Sequence, residues 1–412
     1  MKLLYFVLLI LILSLSACEN KTSVYKEMTE EQLKIKSNEL AHKFLIVDTH
    51  VDVPYRLQSK WDDISQRTVK GHFDYPRAKD GGLDAPFMSI YIPAEFEKKG
   101  GGKKLANKLI DMVEKIAYEH PDKFAVAKSV DDVINNFKNG IISFPMGMEN
   151  GTAIEGDIKN IKYFYNRGIR YITLAHSKSN HISDSSFDEE RQWNGLSPFG
   201  EEAVYEMNRL GIMVDVSHLT DSSFYDIIKI SKAPVIASHS SCRYFTPGWE
   251  RNMNDEMIKT LAEYNGVIMI NFGSSFINGK VREESSSHWK YIESWLQKNN
   301  LSMSDPEAER FIDNYFNNID LSEATVSQVA DHIDRVVELA GVDFVGFGSD
   351  FDGVWSVPTG LSDVSMYPNL IAELLKRDYS EKDIEKICSG NLLRVWKEVE
   401  KTAIRLQTLS EK

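Results

Sequence analysis

Seven side chains in this sequence have the chemistry to hold a metal ion, and they share one kind of address. His50 and Asp52 close the stretch FLIVDTHVDVP (44–54), and Glu149 closes IISFPMGME (141–149). His176 ends IRYITLAH (169–176), His218 ends IMVDVSH (212–218), His239 ends APVIASH (233–239) and Asp350 ends FVGFGSD (344–350). Imidazole with carboxylate, and no thiolate, suits Zn²⁺, Mn²⁺ or Fe²⁺ better than Ca²⁺ or Mg²⁺. Residues i and i+2 of a strand share a face, so His50 and Asp52 can meet one ion. His218 and His239 could take a second, and Glu149, with two oxygens, could bridge both. Two ions about 3.5–4 Å apart trap a hydroxide that is nucleophilic near neutral pH. Each residue alone has a plainer explanation, since a strand-end Asp often caps a helix and a strand-end His often bonds a carbonyl. That explanation does not reach four of the ten histidines standing at strand ends.

The elements that must position these groups are eight short apolar runs, the six above together with APFMSIYIP (85–93) and GVIMINF (266–272). Most follow an amphipathic helical stretch, such as DIKNIKYFYNRG, where Gly168 is a helix stop. Continuous apolar strands alternating with helices predict a parallel sheet buried on both faces. Eight such units in an undivided chain predict a single α/β domain, a (β/α)₈ TIM-like barrel. An open doubly wound sheet is the alternative, but no G-x-G-x-x-G turn follows the first strand. In a barrel all the strand ends above converge on the C-terminal face, where active sites of this fold lie. Residues 274–318 are extra to the alternation and read as a helical insertion, either a lid or a decoration.

With 412 residues, 42% hydrophobic and 26% charged, the chain can build a large core. A formal charge of −13 argues against nucleic acid as a partner. The start, MKLLYFVLLILILSLSAC, has an apolar run from Leu3 to Leu15, shorter than the roughly 20 residues of a membrane span. It reads as a secretory signal, and Leu15-Ser16-Ala17-Cys18 resembles a bacterial lipobox with Cys18 as the lipidated residue. Residues 1–17 are then a lipoprotein signal peptide, 18–28 a tether and 29–406 the catalytic domain. The expected location is that of an exported bacterial lipoprotein, held at a membrane by its N-terminal lipid and facing the periplasm or the cell surface. Thr29 to Gln32 has capping-box spacing and should open the first helix. Cys242 and Cys388 lie far apart and suggest no disulfide framework.

The motifs DTHVDVP, GMENG, YITLAHSKSN, VDVSH, IASHSSCR, ERN and GFGSDFDG occur in this order, and SGNLLRVW follows at 389–396. Together they resemble the membrane dipeptidase (renal dipeptidase) family of binuclear zinc peptidases. The resemblance implies a (β/α)₈ barrel with two Zn²⁺ per chain. His50, Asp52 and Glu149 would hold one, and Glu149, His218 and His239 the other. It makes His176 a substrate-site histidine facing the oxyanion, Arg251 the group that binds the substrate carboxylate, and Asp350 a residue of the reacting centre. Arg243 competes with Arg251 for the carboxylate. The implied activity is hydrolysis of dipeptides with a free C-terminal carboxylate, and the resemblance is compatible with a homodimer. Glu149-Asn150-Gly151 departs from the family's frequent Glu-Gly-Gly, and Val51 stands where Asn is frequent. Neither change touches a ligand, so both bear on substrate preference. Other binuclear barrel hydrolases, acting on cyclic amides, lactones or phosphoesters, remain an alternative; phosphatase activity without peptidase activity would identify one. A non-enzymatic peptide-binding lipoprotein would carry less than one ion per chain. A structural or adhesion role leaves the ionisable cluster without a purpose.

Overall fold

The computed structural model describes residues 24–303 and 305–410. Thr29 caps the helix Glu30–Lys43 with the expected box, its hydroxyl accepting from Gln32 N and Gln32 Oε1 accepting from Thr29 N. Ten strands follow: β1 (Ile46–Val51), β2 (Leu83–Tyr91), β3 (Phe124–Val126), β4 (Ile142–Phe144), β5 (Met146–Glu149), β6 (Ile169–Thr173), β7 (Met213–Asp215), β8 (Ile236–Ser240), β9 (Val267–Ile270) and β10 (Val345–Phe347). Eight of them close a parallel barrel in the order β1-β10-β9-β8-β7-β6-β5-β2. The fold is the expected (β/α)₈ TIM barrel, with helices on its outer face.

One expected strand is two. The run 141–149 breaks at Pro145, which has no N–H to give a ladder. Before the break, β4 pairs with β3 in a separate two-stranded ribbon; after it, β5 enters the barrel between β2 and β6. The short strand β3 had no apolar run long enough to announce it.

A chain of aromatic contacts runs from the closing helix to the site. Trp396, from the helix Asn391–Ser410, packs on Phe87 with ring centroids 5.4 Å apart. Phe87 lies 5.6 Å from Tyr171, whose hydroxyl reaches His50 Nδ1 at 2.7 Å. All three aromatic side chains are fully buried, each a contribution of roughly 1.5–3 kcal/mol on transfer grounds. These contacts therefore tie the closing helix to the first candidate ligand. Gly147 makes room for them, since a Cβ there would come within 1.9 Å of the Tyr171 ring.

The segment after β9 folds as the helices Ser274–Ile277, Gly279–Asn299 and Pro306–Phe316. It has its own small core of Ile292, Leu296, Ala308, Ile312 and Phe316, with Trp295 stacked on Phe311 at 3.7 Å. Phe316 also stacks at 4.7 Å on Trp355, in the loop that carries Asp350. The insertion is thus fastened to the strand-end side of the barrel. Among the described residues no helix is long and apolar enough to cross a membrane. The signal peptide, the lipobox Cys18 and most of the tether lie outside the described residues.

Candidate active site

The strand ends bring all seven groups together. His50 lies in β1, whose pairing with β2 shifts register between Asp48 and Val51. Asp52 is not a strand residue; it stands at the N-terminus of the helix Val53–Ser59. The two converge through that irregularity and the helix start rather than by simple alternation, and His50 Nε2 is 3.4 Å from Asp52 Oδ2. Glu149 ends β5, and His239 lies within β8. His176, His218 and Asp350 sit three residues beyond β6, β7 and β10. His218 and Asp350 have φ of 68° and 63°, the left-handed region that non-glycine residues seldom occupy. Such backbone, about 1–3 kcal/mol above an ordinary conformation, is held by its surroundings and aims the side chain inward.

Glu149 is the hub. Its Oε2 is 3.4 Å from His50 Nε2, and its Oε1 is 3.3, 3.1 and 3.4 Å from the Nε2 atoms of His176, His218 and His239. Ser89 donates to Oε2 at 3.3 Å. Donor atoms within 4.8 Å of one another form three groups: His50, Glu149 and His239; Glu149, His176 and His218; His50, Asp52 and Asp350. His176 and Asp350 thus stand as close to potential ligand positions as the five residues expected to hold metal.

The local bonding fits a cation. Ser238 Oγ donates to Asp215 Oδ2 at 2.6 Å, so at 2.7 Å it accepts from His239 Nδ1–H and leaves Nε2 bare. Arg251 Nη2 donates to His218 Nε2 at 3.1 Å, so that nitrogen too offers a lone pair. These two acceptor nitrogens face each other at 2.8 Å. Burial, with Arg251 beside His218 and His50 beside His239, holds both imidazoles well below the usual histidine range, so neither brings a proton to the contact. Two lone pairs at that distance next to a carboxylate are the donor set of a metal ion. At His50 burial opposes a charge, but Tyr171, Glu149 and Asp52 outweigh it and raise its pKa well above normal. Its Nε2 is buried 3.4 Å from a carboxylate oxygen of each of Asp52 and Glu149, with no well-formed hydrogen bond among the described residues. Burial would also raise the Glu149 carboxyl, yet His50, His176 and His218 keep it well below the usual range.

The remaining expected residues separate cleanly. Arg251 is 2% exposed, donating to Ser240 Oγ at 2.8 Å and His239 O at 2.8 Å, while its Nε has no partner. Burial lowers its pKa to about 10, which still leaves it charged at neutral pH. Arg243 is occupied elsewhere, its two terminal nitrogens on the Asp221 carboxylate at 2.8 and 2.5 Å. Asp350 Oδ2 accepts from Asn271 Nδ2 at 2.7 Å, and Oδ1 lies 4.0 Å from His50 Nε2. Burial, with Asp52 and Glu149 nearby and His50 opposing, raises its pKa to about 7. Asn150 has φ 80°, where the family's glycine would rest easily, and its amide donates to Ile92 O at 2.8 Å.

A supporting layer was missed in the sequence. Asp48 accepts from His50 N at 3.1 Å and Ser349 N at 2.9 Å, and from the hydroxyls of Ser349 and Tyr367. Asp215 accepts from Thr173 Oγ1 at 2.5 Å, Ser217 N at 3.1 Å and Ser238 N at 2.8 Å. Both carboxylates are fully buried. The available signal was an acid inside an apolar run, in IVDTH and in IMVDVSH, because a buried carboxylate demands donors around it.

The family model described as membrane dipeptidase (peptidase family M19) matches residues 35–410. The dipeptidase tcpJ of Claviceps purpurea is 33% identical over 369 residues, 86% of this chain and 77% of that protein. Among solved structures, the probable dipeptidase PvdM from Pseudomonas aeruginosa aligns with a TM-score of 0.78 at 24% identity, over 91% of this chain and all of that one. A metallo peptidase from Rhodobacter sphaeroides, liganded with a phosphinate mimic of the dipeptide L-Ala-D-Ala, aligns with a TM-score of 0.69 at 25% identity, over 86% of this chain and 99% of that one.

Proposed function

Because the chain belongs to the membrane dipeptidase family of metallopeptidases and is a hydrolase of that kind, we propose that it uses two zinc ions to cleave dipeptides bearing a free C-terminal carboxylate. The observation that carries this reading is Glu149, with one oxygen 3.4 Å from His50 and the other 3.1–3.4 Å from three further imidazoles. His50 and Asp52 would hold one ion, His218 and His239 the other, and Glu149 would serve both. When bound, the ions supply Lewis acidity toward the scissile carbonyl and toward a water.

The side chains of the chain do the rest. Arg251 binds the substrate's carboxylate through its unpartnered edge and closes the cleft at that end. A cleft that ends in a cation fits a dipeptide and leaves no path for a longer chain. His176, with a side chain 20% exposed beside Tyr91, is open to the cleft and donates Nε2–H to the carbonyl oxygen as negative charge develops there. Asp350, steadied by Asn271, takes a proton from the attacking water at Oδ1 and passes it to the leaving amine. The dipeptide mimic bound by the Rhodobacter sphaeroides relative supports the substrate class.

A panel of dipeptides varied at both positions and in both stereochemistries, with metal content measured on the same sample, tests the proposal. We expect hydrolysis with about two zinc ions per chain, loss on chelation and return with zinc. Hydrolysis of a lactone or phosphoester and of no dipeptide would overturn it, as would full activity below one ion per chain.

The N-terminal sequence supports a second, separate proposal, that Cys18 is lipidated and anchors the exported protein. Cys18→Ser should move the protein from the membrane fraction to the soluble one, or leave it unprocessed, with the barrel still active. A processed Cys18→Ser protein that stays with membranes would end that idea.

A further inference from the structure

One half-buried arginine on the insertion makes no salt bridge among the described residues. Arg282 lies in the first turn of the helix Gly279–Asn299, its guanidinium carbon 4.9 Å from the centre of the Trp249 ring. Among the described residues its Nε is buried without a hydrogen-bond partner; burial lowers its pKa, and the neighbouring Glu283 offsets this in part. Other partly buried arginines are tied: Arg243 to Asp221, Arg377 to Asp331 and Asp334, Arg170 and Arg394 to backbone carbonyls. Among the described residues the side chain of Arg282 makes no such bond. A half-buried guanidinium that touches no carboxylate can still take one, and a substrate anion would supply it.

Its neighbours lead to the candidate substrate cleft. Trp249 packs on Phe276 with centroids 5.0 Å apart, and Arg251 covers Phe276 with its guanidinium carbon 5.1 Å from the ring centre. Trp249 also meets Phe187 at 6.0 Å, and Phe187 lies 5.7 Å from the His218 ring. Phe187 and Trp249 come from the loops after β6 and β8, and Phe276 from the helix Ser274–Ile277 after β9, all at the strand ends that carry the site. Two guanidiniums, each with an unpartnered Nε, therefore bracket one aromatic pair.

If one of them takes the α-carboxylate of a dipeptide, the other awaits a second carboxylate across the pair. We propose that Arg282 is a specificity determinant that binds the side-chain carboxylate of the substrate's C-terminal residue, so that dipeptides ending in an acidic residue are preferred. The inference rests on the dipeptidase reading and on Arg251 as the carboxylate clamp.

The test compares zinc-loaded wild type, Arg282→Ala and Arg282→Lys on Ala-Glu against Ala-Gln and Ala-Asp against Ala-Asn, in both stereochemistries at the second residue. The amides match the acids in shape and lack only the charge. In the wild type kcat/KM should favour the acid by about tenfold or more, mainly through KM, as a charge-assisted pair would give. Arg282→Ala should bring the acid-to-amide ratio close to one, and Arg282→Lys should restore part of it. An equal ratio in wild type and Arg282→Ala overturns the inference and leaves the dipeptidase reading standing. A fall for Ala-Gln as deep as for Ala-Glu also overturns it, because the loss would then lie in Trp249 packing. If no dipeptide is cleaved by any of the three proteins, both the reading and the inference fail.

Discussion

Glu149→Gln should release metal and abolish activity together. The substitution keeps the size of the side chain and one oxygen, but puts an NH₂ where the second oxygen stood. Whichever way the amide turns, one of its two sets of partners, His50 or the imidazoles of His176, His218 and His239, meets a donor that cannot ligate. The negative charge lying among those four imidazoles also disappears. Removing a residue that merely orients a ligand typically lowers metal affinity about 10–100-fold, and a shared ligand should cost more. Metal analysis of the purified variant should give below one ion per chain, with kcat/KM down at least about a thousandfold. Thermal melting of the same sample checks that the barrel is intact. Two tightly held ions in an active Glu149→Gln protein would remove Glu149 from its bridging role.

How much of this was legible before the structure depended on whether the information was local. The barrel was, because each strand is a run of contiguous apolar residues, and so was the grouping of the candidate ligands, because six of those runs carry a polar group at or just past their end. The capping box at Thr29 was read for the same reason, all its atoms lying within four residues. What was not legible involves partners far apart in the chain. Tyr171 supports His50 across 121 positions, and Asp48 binds Ser349 across 301. The split at Pro145 was visible as a residue but not as a change of sheet, since only pairing with β3 distinguishes the two halves. Likewise the i, i+2 spacing of His50 and Asp52 points to one strand face, whereas a register shift and a helix start deliver Asp52 to His50. Arg282 gave no signal at all, because its packing on Trp249 joins residues 33 positions apart.

The choice between Arg251 and Arg243 was also non-local, and it now admits a sharp test. Arg243 has its terminal nitrogens on Asp221, so an incoming carboxylate would have to displace one already bound. Arg251 holds only neutral groups, Ser240 Oγ, His239 O and His218 Nε2, and keeps Nε free. Asp350, Glu149 and Asp215 act on it only through space, so a substrate carboxylate would be the first anion in direct contact with it. One charge-assisted hydrogen bond is worth roughly 1.5–3 kcal/mol, and more in a dry cleft. That energy can appear in KM, or be spent on orientation and appear in kcat. Arg251→Ala should therefore lower kcat/KM for free dipeptides by about ten- to several-hundredfold, at 1.36 kcal/mol per factor of ten. Its Nη2 touches His218, so metal content is measured in parallel and should remain at the wild-type level, arginine being no ligand. Dipeptide amides, which lack the carboxylate, should be poor substrates of the wild type and should lose far less in the variant. A constant acid-to-amide ratio between wild type and Arg251→Ala would show that this guanidinium is not the clamp, and Arg243→Ala, which must first break the Asp221 pair, would be the next variant to measure.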